Sequence, residues 1–374
     1  MTPFPDLERL VPDYVKCFEA YIPSKPDDDL KKLYGCPKLY RLNNNENPLG
    51  PPETSRRALR AFDTTRASIY PSGDCYHLRQ KLGGIFGMRP DQFIVGNGAN
   101  EVIAFAIKAF CRQGDNIITA DKTFAVYEWV AEFSGFEARL VPLVDYGFDA
   151  GAMIERIDER SKILFICNPN NPTGSWWDKR TLCSFLDRVD RRCIVVVDEA
   201  YREFVENPDF PDSMALIANY PNLVVFRTFS KMYGLAGLRI GYLAGSSEVV
   251  DIIRRTCVVY SVNALAQVGA FSALDDPEHV GRTRESVRAG KGFLLKELDL
   301  MGLDCVHGEG NFVMTHLPIS DSLAYRKMMT CGVMVRAMTG FRFPNWIRIT
   351  VSHREALEAF AESLSKILKE GRMF

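Results

Sequence analysis

The apolar residues of this chain fall into two kinds of run. Short uninterrupted runs, among them FIV at 93–95, ILFI at 163–166, IVVV at 194–197 and LVVF at 223–226, have no polar residue inside them. Such runs predict strands buried on both faces. Between them lie longer stretches with helical spacing, such as NEVIAFAIKAF at 100–110 and DKRTLCSFLDRV at 178–189. Strand–helix alternation of this kind predicts an α/β fold with a mostly parallel, doubly wound sheet. After about residue 247 the pattern changes to long helical stretches. Three alternating segments follow, NFVMTHL, VMVRAM and WIRITVS, and then a closing helix, REALEAFAESLSKILKEG. These predict a smaller α+β domain. The expected division is an arm at 1–47 that joins the small domain, a large domain at 48–275 and the small domain at 276–374.

The polar residues that interrupt this pattern gather where strands end, and ligands of doubly wound sheets bind beyond the carboxyl ends of strands. Asn100, Phe124, Asn171, Asp198, Tyr201 and Lys231 all occupy such positions. Asn100 is expected to cap a helix, with the amides of Gly98, Ala99 and Asn100 aimed at an anion. RLNNNENPLG, with its run of three asparagines, Asn47-Pro48 and Gly50, is expected to be a loop and not a strand. The segment NLVVFRTFSKMYGLAGLRIGYLAG at 222–245 puts Lys231 just past a buried strand, beside Thr228, Ser230 and Arg239. Desolvation and nearby cations lower a lysine's pKa and free its amine as a nucleophile. The hydroxyls and the arginine suit a phosphate, so the predicted ligand is an anion bearing an aldehyde. A rival reading is a dinucleotide fingerprint at Gly96-x-Gly98, with Asp121 ending the next strand. It fails at its third glycine, where Glu101 stands.

Composition narrows the classes. The net charge of −1 over 374 residues gives no electrostatic case for nucleic acid or an anionic membrane surface. No apolar run reaches the length of a membrane span. The ten cysteines form no CxxC pair and no metal-ligand spacing. MTPFPDLERLVPDYVK has charges and prolines where an export signal needs an apolar core. A cytoplasmic protein with reduced thiols and no bound metal is expected.

Taken in order, NENPLG, GNGANE, NPNNPTG, VVVDEAY, TFSKMYGLAGLRIGY and PNWIRITVS resemble the fold-type I pyridoxal-phosphate aminotransferases, and within them most nearly the histidinol-phosphate aminotransferase family. The resemblance runs from about residue 19 to the C-terminal helix. It implies a homodimer with composite sites and pyridoxal 5′-phosphate as cofactor. It implies that Lys231 holds the cofactor as a Schiff base and moves the substrate proton. Asp198 is the implied partner of the pyridinium nitrogen, and Asn171 and Tyr201 of the phenolic oxygen, with Phe124 stacked on the ring. Gly98, Ala99, Asn100, Thr228, Ser230 and Arg239 are implied around the phosphate, joined by Tyr70 of the other subunit. Arg348 is implied at the substrate carboxylate, Arg336 and Tyr21 at a substrate phosphate, and Asn47 in the substrate pocket.

The chain departs from that pattern in places. GANE stands where a Ser-Asp pair is common, Asn43 and Asn44 where small residues are usual, and Arg342 where glycine is frequent. These bear on the substrate pocket, and Arg342 is a candidate for a polar or anionic side chain. The resulting expectation is transamination between an amino acid, histidinol phosphate first, and 2-oxoglutarate, on a substrate with a second anion. Alternatives are an aromatic amino-acid aminotransferase, or a decarboxylase or oxidase on the same scaffold. A non-catalytic module is disfavoured by the presence of Lys231, Asp198 and Arg348 together.

Overall fold

The uninterrupted apolar runs become strands because a strand covered on both faces has no polar side to alternate with. Numbered along the chain, the strands are β1 (Tyr40–Leu42), β2 (Phe93–Gly96), β3 (Asn116–Ala120), β4 (Glu137–Val141), β5 (Ser161–Cys167), β6 (Ile194–Asp198), β7 (Leu223–Thr228), β8 (Gly241–Gly245), β9 (Cys305–Val306), β10 (Phe312–His316), β11 (Val333–Ala337) and β12 (Trp346–Thr350). They are seen in a computed structural model, which describes residues 7–19 and 25–371. Tyr21 lies outside the described residues.

Seven strands form one sheet in the order β2-β8-β7-β6-β5-β3-β4. β3 to β7 pair in parallel, and β8 runs antiparallel to both of its neighbours. Parallel neighbours need crossovers, which here contain the helices Val126–Phe133, Ala150–Glu155 and Lys179–Val189. Alternate side chains of each strand feed two apolar layers. Leu164, Ile166, Val195, Val197 and Val225 pack on one face with Phe185 and Leu186. Ile163, Phe165, Val196, Val224 and Phe226 pack on the other with Ile103 and Phe105. Both layers exclude water, which places Asp198 and Thr228, the last residues of β6 and β7, at the edge of a dry core.

The second sheet has the order β1-β11-β12-β10-β9. Its core includes Phe312, Val313, Ile347 and Ile349, with Leu294, Phe360 and Leu364 from the helices Pro277–Leu300 and Arg354–Gly371. Here the sequence reading needs a correction. The start of RLNNNENP is not all loop: Tyr40, Arg41 and Leu42 pair in parallel with Val333, Met334 and Val335. The strand exists because β11 offers an unpaired edge and Leu42 is fully buried against it. The chain then crosses to the large sheet through residues 43–47. No helix among the described residues is long and apolar enough to cross a membrane. No group of three or more metal-ligand side chains occurs among them either.

Candidate active site

Lys231 stands three residues beyond β7, and its Nζ donates to the Asn44 carbonyl at 2.7 Å. Burial lowers its pKa to about 7, helped by the Arg348 and Arg239 charges and opposed by Glu46 and Asp198. A large fraction of the amine is therefore neutral near pH 7, the form that attacks a carbonyl.

Asp198 closes β6 with almost no exposure. Tyr127 Oη donates to its Oδ2 at 2.6 Å, and the Ala200 N–H to its Oδ1 at 3.0 Å. Burial still prevails over these two donors and raises the carboxyl to about 6. A cation beside it would restore the ordinary acidity. Tyr127 is itself stacked on Phe165 and meets Phe124 edge-on, with centroids 4.7 and 5.6 Å apart. It was not singled out in the sequence, yet it holds the carboxylate in place. Three residues after Asp198, the Tyr201 hydroxyl accepts from Asn45 Nδ2 at 2.9 Å, and burial pushes its pKa up to about 12.

A polar cradle forms where β7 and β8 meet the helix Ala99–Phe110. Gly98, at φ 86, caps that helix; Asn100 lies inside its first turn and is not the cap. The reason is steric. A Cβ on Gly98 would collide with the Arg239 guanidinium, and one on Gly241 would come within 3.1 Å of the Ala99 nitrogen. Thr228 faces Gly241 across the β7–β8 ladder, and its Oγ1 accepts from the Ser230 N–H at 3.1 Å. First-turn amides have no partner within their helix. With Thr228, Ser230 and Arg239 they make a site suited to a phosphate. Glu101 takes no part in it, since its Oε2 accepts from the Asn97 N–H at 2.6 Å and Ser261 Oγ at 2.8 Å.

Arg348, 4% exposed, donates through Nη1 to Asn171 Oδ1 and through Nη2 to the Asn43 carbonyl at 2.7 Å. Its Nε and Asn43 Oδ1 are both buried without a partner. Arg336 is directly opposite it in the β11–β12 ladder. Burial, reinforced by Arg336 and opposed by Tyr201, lowers the Arg348 pKa to about 10. Like charges facing each other across a ladder repel, and no carboxylate among the described residues forms an ion pair with either.

Two other candidates have different partners from those expected. Asn47 Nδ2 donates to the Met232 carbonyl at 2.6 Å, and its Oδ1 accepts from the Leu49 N–H. Its amide braces the backbone next to Lys231. Arg342 forms a two-pronged pair with Glu128, at 2.9 and 2.6 Å, so its charge is already matched. Tyr70 is 80% exposed and stacks on Tyr260, with centroids 4.8 Å apart.

The residues fit pyridoxal phosphate on three observations: a buried amine with a lowered pKa, a buried carboxylate with a raised one, and a cradle that a Cβ would fill. The comparisons agree. The profile of the family "Aminotransferase class I and II" matches residues 37–364. A histidinol-phosphate aminotransferase of Symbiobacterium thermophilum is 40% identical, covering 96% of this chain and 98% of its own. One from Moorella thermoacetica is 36% identical, covering 96% and 95%. The solved histidinol-phosphate aminotransferase of Sinorhizobium meliloti, in complex with pyridoxal-5′-phosphate, superposes with a TM-score of 0.84 at 21% identity, covering 99% of this chain and 98% of its own. On the profile and these relatives, the chain belongs to the class I and II aminotransferases and is a pyridoxal-phosphate-dependent aminotransferase.

Proposed function

We propose that this aminotransferase exchanges an amino group between histidinol phosphate and 2-oxoglutarate. The observation that carries the reading is the facing pair Arg336 and Arg348, two guanidiniums without an acid. Burying the Arg348 charge without an acid is costly, and Arg336 opposite it adds a second positive charge. Glutamate brings two carboxylates. Histidinol phosphate has no α-carboxylate, and brings one dianionic phosphate at the corresponding end of the molecule. Each partner of the exchange thus offers about two negative charges to two arginines. The expected second anion is therefore a property of glutamate, and for histidinol phosphate a single doubly charged group takes its place. The relatives named as histidinol-phosphate aminotransferases support the same substrate.

Within this reading each residue has a task. Pyridoxal phosphate, when bound, supplies the electron sink that makes the substrate Cα proton removable. The Lys231 amine would take that proton and deliver it to the cofactor's former aldehyde carbon, across the nitrogen from Cα. Asp198 keeps a proton on the ring nitrogen by ion pairing, and Tyr127 fixes the Asp198 carboxylate. Tyr201 and Asn171 donate to the phenolic oxygen. Phe124 covers the ring. Gly98, Ala99, Asn100, Thr228, Ser230 and Arg239 hold the phosphate, and Arg348 orients the substrate.

The substrate is tested by kcat/KM for histidinol phosphate against histidinol and phenylalanine. The expected preference for the phosphate ester is about tenfold or more, or about 1.4 kcal/mol, and it collapses in Arg336→Ala. An equal preference in parent and variant would point to a neutral or aromatic side chain instead.

The same proposal includes a cytoplasmic location and a homodimer with composite sites. Exposed Ile69 and Tyr70 and exposed Val258, Val259 and Tyr260 support the dimer, because large apolar side chains are rarely left together in water. Tyr70 then reaches the partner's phosphate. Mixing and refolding Tyr70→Ala with Lys231→Ala is expected to recover part of the activity, since a hybrid dimer rebuilds one intact site. A monomeric mass at working concentration, or no recovery, refutes it.

A further inference from the structure

Asn45 is tied down by hydrogen bonds from its backbone and from both ends of its amide. It is 1% exposed and sits at φ 56, in the left-handed region. Its N–H donates to Thr350 Oγ1 at 2.9 Å, and its carbonyl accepts from Asn311 Nδ2 at 3.1 Å. The Thr350 hydroxyl, having accepted from the backbone, has its own proton to give, and gives it to Asn45 Oδ1 at 3.2 Å. The oxygen end of the amide therefore faces Thr350. The NH2 end faces Tyr201 Oη at 2.9 Å. An amide NH2 has no lone pair to accept with, so Tyr201 is the acceptor in that contact and its own proton points elsewhere.

We propose that Asn45 is a positioning residue that sets the direction of the Tyr201 hydroxyl, which accepts from Asn45 and donates to the cofactor's phenolic oxygen. The inference rests on the reading above that Tyr201 faces that oxygen. The consequence is energetic as well as geometric. A tyrosine whose lone pair is already occupied gives its proton more readily, because successive hydrogen bonds polarise one another. Without Asn45 the rotation of the hydroxyl is no longer held, and its proton serves the phenolic oxygen for only part of the time. Thr350, at the end of β12, closes the chain of donors. The small sheet thus sets the direction of a proton at the mouth of the large one.

The test reads the visible absorption of the holoenzyme against pH. The bound chromophore shares one proton between its nitrogen and the phenolic oxygen. A donor at that oxygen competes for it and lowers the pH at which the proton is lost. Tyr201→Phe is expected to raise the midpoint by about one pH unit, a tenfold change in proton affinity. Asn45→Gly, chosen because glycine tolerates the left-handed backbone, should raise it in the same direction by a smaller amount. The double variant should match Tyr201→Phe alone, since no hydroxyl remains to direct. Thr350→Val, which frees the Asn45 amide to flip and also removes the acceptor of its N–H, should raise the midpoint as well.

Three outcomes overturn the inference. If Tyr201→Phe moves the midpoint and neither Asn45→Gly nor Thr350→Val does, Asn45 only fills space. If the shifts add in the double variant, Asn45 acts by another route. If Tyr201→Phe itself leaves the midpoint unmoved, Tyr201 does not face the phenolic oxygen, and that part of the functional reading fails with the inference.

Discussion

Lys231→Ala is expected to lose about ten-thousandfold or more in kcat, the upper range of what a positioned base supplies, with the fold intact. Under the proposed function the amine both captures an aldehyde and moves a proton. It sits at the end of a buried strand with its pKa lowered to about 7. Lys231→Arg should fail as completely, because a guanidinium stays protonated and cannot act as the nucleophile or the base. Borohydride reduction of the parent holoenzyme, followed by peptide mapping, should place the label on Lys231. The pH dependence has a definite sign. The protonated amine does not attack, so apoenzyme capture of pyridoxal phosphate should quicken as pH rises through about 7 and level off above it. A label on another residue, or a colourless protein that ignores added cofactor, would remove Lys231 from its role.

Asp198→Asn should lower kcat on the order of a thousandfold, comparable to losing a preorganised electrostatic contact, or about 4 kcal/mol. In the parent, burial raises the carboxyl to about 6, with the Glu199 charge adding to it, and a protonated ring nitrogen beside it would restore the ordinary acidity. Tyr127 and Ala200 donate to different carboxylate oxygens, so an asparagine accepts from only one of them and turns its NH2 to the other side, where the Tyr127 hydroxyl can rotate to accept; it brings no charge. The fold should tolerate the change, because replacing an unpaired buried carboxylate by a neutral group relieves a desolvation cost. Turnover and melting temperature measured together separate the two effects. Activity within a few-fold of the parent would show that Asp198 is not the ring-nitrogen partner. A large fall in melting temperature would show that it is structural.

The large sheet was legible because its central strands are covered on both faces, and that leaves unbroken Val/Ile/Phe runs at 163–166, 194–197 and 223–226. β1 was not. Three residues with an arginine in the middle carry no period, and the strand depends on an edge made by residues about three hundred positions later. Lys231 and Asp198 announced themselves as charged groups at the ends of apolar runs, and Arg348 as a charge inside one, WIRITV. Tyr127 and Asn45 gave no such signal, because their partners lie 71 and 156 residues away and neither is charged. Arg342 misled for a related reason: its acid, Glu128, is 214 positions distant, so an unmatched cation was the natural local reading. Asn47 was read as a pocket residue, and its contact with the Met232 carbonyl, 185 positions away, gave no local signal.

The crossing at residues 43–47 has a consequence for how such an enzyme diversifies. Lys231 and Arg348 are met there by the main-chain carbonyls of Asn44 and Asn43, and a carbonyl is present whatever side chain the residue carries. Substitutions at 43 and 44 can therefore accumulate without removing either contact, and the unpartnered Asn43 Oδ1 shows that its side chain is not committed to one. Asn45, two positions on, is the opposite case, since both ends of its amide are engaged. Neighbouring positions on one short crossing thus carry different evolutionary freedom. Selection for a new substrate can work on two of them while the third holds the chemistry constant.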